Sequence, residues 1–427
     1  MRVSPMPWYD HRDGELFAEA VRLADIAERY GTPSFVYSAG AIRQAYREFA
    51  DACAGRRVTI CYALKANSNL AVIDLLAREG AGFDIVSAGE LRRVLAIGGD
   101  PARVVFSGVG KSALEMREAL EAGVGCFNVE SDPELDRLSE VAQSLGRRAP
   151  VSLRVNPDVD ARTHPYISTG MRENKFGIAH DRAIDSYRRA ARLPGIELVG
   201  IDCHIGSQIT EIAPFLAAAD RVADLVGDLR AEGIELRHID LGGGLGIRYH
   251  EEEPPSRQAL MKALFERLDS RFEPDRYEIM FEFGRSLVGN AGLLLTRVEY
   301  IKETDDRRFA IVDAAMNDLI RPSLYDAWHG VVPVRPRAGA PLLHDIVGPI
   351  CESGDWLARE RSLCLAPGDL LAVESAGAYA MVMSSNYNSR GRAAEVMVDG
   401  DRAQLVRERE SLDSLYALER TLDAGPA

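Results

Sequence analysis

The sequence has no CxxC pair. Its six cysteines (Cys53, Cys61, Cys126, Cys203, Cys351 and Cys364) are scattered through 427 residues. That argues against a zinc ribbon or a disulfide framework and for a reducing compartment. Positive charge is also short. Lys+Arg is 51 against Asp+Glu of 65, a net charge of −14. Such a chain is a poor partner for nucleic acid or an anionic membrane. No apolar run approaches the roughly 20 residues of a membrane span. Asp10, Arg12, Asp13 and Glu15 stand where a signal peptide would need an apolar stretch. There is no fixed-period repeat and no low-complexity tract. Hydrophobic residues are 46% and charged residues 27%, which suits a folded core. The expectation is a soluble, cytoplasmic protein.

What the chain does have is alternation. Short apolar runs predict strands at Val58–Ala66, Gly82–Ser87, Val104–Gly108, Cys126–Ser131, Val151–Asn156, Leu198–Ser207, His238–Gly244 and Tyr277–Gly284. Helical patterns lie between most of them, at Leu70–Glu79, Gly89–Ile97, Ser112–Ala122, Asp132–Leu145 and Asp181–Arg192. The clearest is Pro214–Glu232, where Phe215, Leu216, Ala219, Val222, Leu225, Val226 and Leu229 follow the spacing of one buried helix face. Eight strands alternating with helices are the inventory of a (β/α)8 barrel, with an open doubly wound sheet as competitor. After Gly284 the runs are short and punctuated by Pro and Gly: Ala291–Lys302, Arg308–Asp313, Leu343–Val347, Leu370–Ser375 and Ala394–Val398. They predict a mostly antiparallel β domain, to which Pro33–Tyr37 adds a strand. The tail, Asp401–Ala427, reads as the start of a charged helix.

Barrel enzymes carry their chemistry at the C-terminal ends of strands. Those ends hold Lys65, Asp84 and Ser87, Glu90, Arg154 and Asn156, His204 with Ser207, the Gly242–Gly246 run, and Glu282 with Arg285. Lys65 in an apolar run is either a lysine reaching for solvent or an amine that burial keeps neutral for Schiff-base chemistry. The glycine run lacks the G-x-G-x-x-G spacing and is either a tight turn or a close approach to a phosphate. His204 is either a core histidine or a flat surface for a planar ligand; no partner at metal-ligand spacing supports a metal. Glu282 pairs with Arg285 or keeps a heterocyclic nitrogen protonated. Amine, phosphate cradle, flat ring and carboxylate together describe pyridoxal 5'-phosphate.

Ordered motifs sharpen this. YALKAN (Tyr62–Asn67), GFDIVSAGEL (Gly82–Leu91), NKFGI (Asn174–Ile178), HIGSQ (His204–Gln208), DLGGGLGI (Asp240–Ile247), CESGD (Cys351–Asp355), GAY (Gly377–Tyr379) and SSNYNSRG (Ser384–Gly391) together resemble the diaminopimelate decarboxylase family. The resemblance runs from about Pro33 to Val398. It implies a fold-type III pyridoxal-phosphate enzyme, with an alanine-racemase-type TIM barrel over residues 38–284 and a β domain from residues 1–37 and 285–427.

It also implies roles. Lys65 resembles the lysine that carries the cofactor, and His204 the histidine stacked on its ring. Ser207, Gly243, Gly244 and Tyr379 resemble the phosphate-binding set, and Glu282 the carboxylate at the ring nitrogen. Asp84, Gly284 and Arg285 join the cofactor-binding residues. Arg285, Arg321, Tyr325 and Tyr379 resemble the substrate-binding groups, with the distal carboxylate on Arg285, Arg321 and Tyr325. Glu352 resembles the partner of the distal ammonium. Cys351 resembles a catalytic proton donor supplied by a partner subunit, hence a homodimer with shared sites. The implied reaction turns meso-2,6-diaminopimelate into L-lysine and CO2. The rivals are a decarboxylase of ornithine, arginine or carboxynorspermidine, and a non-catalytic cofactor-binding regulator. Where the family usually has proline after the glutamate of strand eight, this chain has Phe283. That removes a fixed φ and restores an N–H.

Overall fold

The computed structural model describes residues 6–160 and 175–422. The chain divides into two compact units, Ala41–Gly289 and Met1–Gly40 with Asn290–Ala427.

The first unit is a closed parallel barrel. Its eight strands are Val58–Ala63, Gly82–Ile85, Val104–Phe106, Cys126–Val129, Ala149–Asn156, Ile196–Asp202, His238–Asp240 and Glu278–Phe283. Each pairs in parallel with the next, and the eighth closes on the first with Glu282 opposite Cys61 and Phe283 opposite Tyr62. The connecting helices follow sequence signals. Ser112 and Glu115 form a reciprocal capping box, and Gly80 and Gly123 end their helices in the left-handed conformation.

Side chains alternate along each strand, so the interior is layered. Cys61, Val105, Cys126, Val199 and Met280 form one buried apolar cluster. Two residues further along their strands, Ser107, Asn128 and Glu282 replace Val105, Cys126 and Met280. Asp84, Asp202 and Asp240, on the second, sixth and seventh strands, are also buried. The barrel interior therefore changes from apolar to acidic towards its C-terminal rim. The outward positions, including Phe83, Phe106, Phe127 and Phe281, are buried.

Several expected strands stop early, each for a local reason. Val58–Ala66 ends at Ala63, and Leu64–Ala66 form a 3-10 turn. His238–Gly244 ends at Asp240, because Gly242 at φ 65° and Gly244 at φ 109° cannot continue an extended ladder. Leu198–Ser207 spans Ile196–Asp202; beyond it Gly206 at φ 151° and Gln208 at φ 61° turn the chain. Phe283 completes the eighth strand. Its ring lies 4.0 Å from that of Phe49 at 14° and 5.4 Å from that of Phe281 at 11°, so it fills space beside the barrel.

The second unit centres on the strand Gly292–Glu303. Its first half pairs with Ser34–Ser38 and Leu370–Val373; its second half pairs with Arg308–Val312. Ser34–Ser38 also pairs in parallel with Ala394–Asp399. Trp356–Leu363 and Leu342–Val347 extend the far edge, and Tyr9–Arg12 with Glu15–Ala18 makes a separate hairpin. The tail is not a helix at its start. Arg402–Arg407 is a strand, joined to Ala394–Asp399 by a tight turn with Gly400 at φ 62°. Pairing with an existing strand outweighs the charge pattern that suggested a helix.

Candidate active site

The polar layer and the loops just beyond it bring together most of the expected barrel residues. Lys65 is on the 3-10 turn after the first strand. Its Nζ lies 2.6 Å from Asp84 Oδ2, and its side chain is 36% exposed. Asp84 is buried, and its Oδ1 has no hydrogen-bond partner among the described residues. The Lys65 amine is therefore held by an ion pair with a buried carboxylate at a partly open rim.

Glu282 is buried at the end of strand eight. Its Oε1 accepts from Asn128 Nδ2 at 3.1 Å and Ser107 Oγ at 3.3 Å, which leaves the carboxylate aimed by two neutral donors. Arg285 is not its partner. The guanidinium instead donates to Ser207 Oγ, at 2.9 Å from Nη2, and to the Tyr249 hydroxyl at 2.7 Å. Gly284 leaves little room: an added Cβ would stand 3.0 Å from that of Ala66, next to Lys65, and 3.2 Å from that of Ala63. Ser107, Asn128 and Tyr249 carried no sequence signal, since single polar residues in apolar or loop segments are common.

The His204 ring accepts at Nδ1 from the Gly243 N–H at 3.1 Å, so Nε2 carries the proton. Burial, and then the charges of Arg154 and Lys65, push its pKa well below the usual histidine value. His204 is a neutral flat ring. Around it the backbone is stripped of side chains. A Cβ at Gly243 would come 2.0 Å from the Glu282 carbonyl oxygen, and one at Gly244 would come 2.4 Å from that of Gly206.

Carboxylates dominate the floor. Oxygens of Asp202, Asp240 and Glu282 lie within 4.8 Å of one another. Arg154, over the Phe176 ring at 5.1 Å, answers Glu130 at 3.2 Å and Asp202 at 3.8 Å. Burial pushes Asp202 up to about 7, opposed by Arg154 and assisted by Glu130 and Asp84. Asp240 and Glu282 are also raised, chiefly by burial and then by the neighbouring carboxylates. A carboxyl whose folded pKa is raised binds more protons folded than unfolded. Its charge therefore costs stability as pH rises from about 4 through the folded pKa. Asp202→Asn removes that cost. The Tm of cofactor-free D202N minus that of the wild type should grow between about pH 5 and pH 8. A constant or shrinking difference contradicts the assignment. The difference also cancels the opposite trend from His204 and His238, whose lowered pKa values make folding less favourable in acid.

The remaining candidates belong to the second unit. Arg321 is buried on the short helix Arg321–Tyr325, with its guanidinium 5.8 Å from the Tyr325 ring centroid and its Nε 3.4 Å from His329 Nε2. Cys351 and Glu352 are exposed on a loop, where the Cys351 N–H donates to Asn388 Oδ1 at 2.9 Å. Ser323 Oγ donates to the Gly354 carbonyl, tying that loop to the Arg321 helix. Tyr379 holds φ 54°, an uncommon left-handed state for a bulky residue. Of NKFGI, Asn174 lies outside the described residues.

An amine, a neutral flat ring, a buried carboxylate and a loop without side chains backed by a guanidinium match the four chemical faces of pyridoxal phosphate. Residues 39–289 match the family model for the pyridoxal-binding domain of pyridoxal-dependent decarboxylases. A diaminopimelate decarboxylase of Pseudomonas aeruginosa is 62% identical, over 98% of this chain and 100% of that protein.

The chain belongs to the diaminopimelate decarboxylase family.

Two solved family members agree in fold. The Helicobacter pylori enzyme in complex with L-lysine is 42% identical with a TM-score of 0.89, over 93% of this chain and 99% of that one. The M. jannaschii enzyme, also with L-lysine, is 36% identical with a TM-score of 0.93, over 98% and 99%. Family members share the barrel with an antiparallel companion sheet and use pyridoxal phosphate. No helix among the described residues of this member is long and apolar enough to cross a membrane.

Proposed function

We propose that this chain decarboxylates meso-2,6-diaminopimelate to L-lysine with pyridoxal phosphate as cofactor. The observation that carries the reading is the meeting of Lys65, His204, Glu282 and the Gly243–Gly244 loop at one barrel rim, in a chain matching diaminopimelate decarboxylases over nearly its whole length. The L-lysine held by two solved relatives is the product of that reaction.

When bound, the cofactor supplies the electron sink that lets an α-amino acid lose CO2. The protein residues supply the rest. Lys65 would hold the cofactor covalently, with Asp84 answering its ammonium whenever it is free. His204 would offer its neutral ring to the pyridine. Glu282, oriented by Asn128 and Ser107, would keep the ring nitrogen protonated. Ser207, Gly243, Gly244, Gly284, Arg285 and Tyr379 would take the phosphate and its surroundings.

Substrate recognition is assigned to Arg285, Arg321, Tyr325 and Tyr379, with Glu352 for the distal ammonium. Paired guanidinium and carboxylate groups make forked, charge-assisted hydrogen bonds. Lysine and ornithine lack the distal carboxylate and would leave these arginines unanswered, at roughly 1–3 kcal/mol per unsatisfied group. Cys351 is the proton donor to the α-carbon, offered to the site of a partner subunit. The active species is then a homodimer, working in the cytoplasm. The cofactor domain is read as residues 38–284, and the β domain as residues 1–37 and 285–427.

The test is direct. Purified protein with pyridoxal phosphate is incubated separately with meso-diaminopimelate, L-lysine and L-ornithine, and CO2 and amine products are measured. The expected outcome is conversion of diaminopimelate alone. Comparable kcat/KM for ornithine or lysine would refute the substrate assignment.

A further inference from the structure

Gln208 is the last residue of the HIGSQ segment and holds φ 61°. Side-chain-bearing residues adopt this left-handed state only when their surroundings enforce it, and glycine would hold the same turn without strain. The position nevertheless carries a carboxamide, and both its oxygen and its nitrogen are engaged. Its Oε1 accepts from the Ile247 N–H at 3.1 Å, and its Nε2 donates to the Ile247 carbonyl at 2.6 Å. One side chain thus bonds both backbone groups of a single residue, as a neighbouring strand would.

The two loops so joined carry the anion-facing groups. One is His204–Gln208, with Ser207 under the Arg285 guanidinium. The other is the Gly242–Gly246 run. Backbone bonds continue the seam: Ile209 N–H to the Gly244 carbonyl and Gly246 N–H to the Ile209 carbonyl, both at 2.9 Å. The approach is close on both sides. A Cβ at Gly244 would strike the Gly206 carbonyl oxygen at 2.4 Å, and one at Gly246 would lie 3.1 Å from the Gln208 carbonyl carbon. The glycines let the loops touch; Gln208 fixes the register at which they do.

We infer that Gln208 is a positioning residue for the cofactor's phosphate monoester, setting the spacing of the two loops that receive it through its paired bonds to Ile247. The inference rests on the cofactor reading above and extends it to a residue whose two side-chain bonds go to Ile247.

The experiment compares two probes that differ only in the phosphate. Cofactor-free wild type, Q208A and Q208M are titrated with pyridoxal phosphate and with pyridoxal, following the absorbance of the lysine-bound chromophore. Q208A should weaken pyridoxal phosphate about tenfold, the loss of two hydrogen bonds' worth of loop placement, while pyridoxal affinity stays within about twofold. Q208M keeps the length of the side chain, adds no charge and loses both bonds to Ile247, so it should match Q208A. It also covers the case in which Q208A does not fold. Equal weakening of both probes, or of neither, overturns the proposal by assigning Gln208 to general stability or to nothing. Failure of the wild type itself to give a chromophore with pyridoxal phosphate would sink the cofactor reading instead.

Discussion

Lys65→Ala is expected to lower diaminopimelate turnover by about a thousandfold or more. The reason is geometric as well as chemical. The amine stands on a short 3-10 turn at a strand end, with Asp84 2.6 Å away and Gly284 packed against the turn. Among the described residues, buried Lys111 is committed to Glu134 at 2.7 Å and to the carbonyls of Gly108 and Asn128, and Lys175 lies over the Phe176 ring at 5.3 Å. Removing the amine abolishes covalent anchoring and leaves Asp84 as a buried carboxylate without its cation. The variant should bind the cofactor loosely, show no borohydride-fixed label on its peptides, and regain part of its rate with small primary amines. Turnover within tenfold of the wild type would remove Lys65 from the mechanism.

Glu282→Gln should lower kcat by about a hundredfold to a thousandfold while changing KM little, because a preorganised charge matters most where charge develops. The glutamine keeps the shape and one bond from Asn128 or Ser107 but loses the negative charge. Burial and the neighbouring Asp84, Asp240 and Asp202 hold the Glu282 pKa well above the ordinary carboxylate range in the cofactor-free barrel. A protonated ring nitrogen next to it reverses the preference, since an adjacent cation favours the ionised carboxyl. The variant's cofactor absorbance should therefore change its dependence on pH. A variant with normal kcat and a normal spectrum would assign Glu282 to the fold alone.

Much of this was readable from the sequence because barrel strands announce themselves by apolar runs, and barrel chemistry gathers at their ends. Lys65, His204, the glycine run, Glu282 and Arg285 all follow that rule. Residues whose importance depends on who faces them did not follow it. Asn128 and Ser107 matter because two different strands carry them to one carboxylate oxygen, and Tyr249 because a loop returns it to Arg285. Linear spacing encodes none of those meetings. Strand ends were overrun for a related reason. Apolarity continues into Leu64–Ala66 and Leu241–Leu245, where backbone torsions, rather than polarity, stop the ladder. The strand Arg402–Arg407 was hidden because its stability comes from its partner, Ala394–Asp399, more than from its own composition.

The barrel closes by pairing its eighth strand with its first, and Glu282 lies in register with Cys61, four residues before Lys65. The lysine is translated early and its opposing carboxylate some two hundred residues later. A ribosome-bound chain therefore exposes the lysine long before it owns a pocket, and vitamin capture becomes one of the last events of biogenesis. The companion unit waits longer still, because Ser34–Ser38 needs Ala394–Asp399 beside it. Translation products truncated before the eighth strand should consequently be colourless.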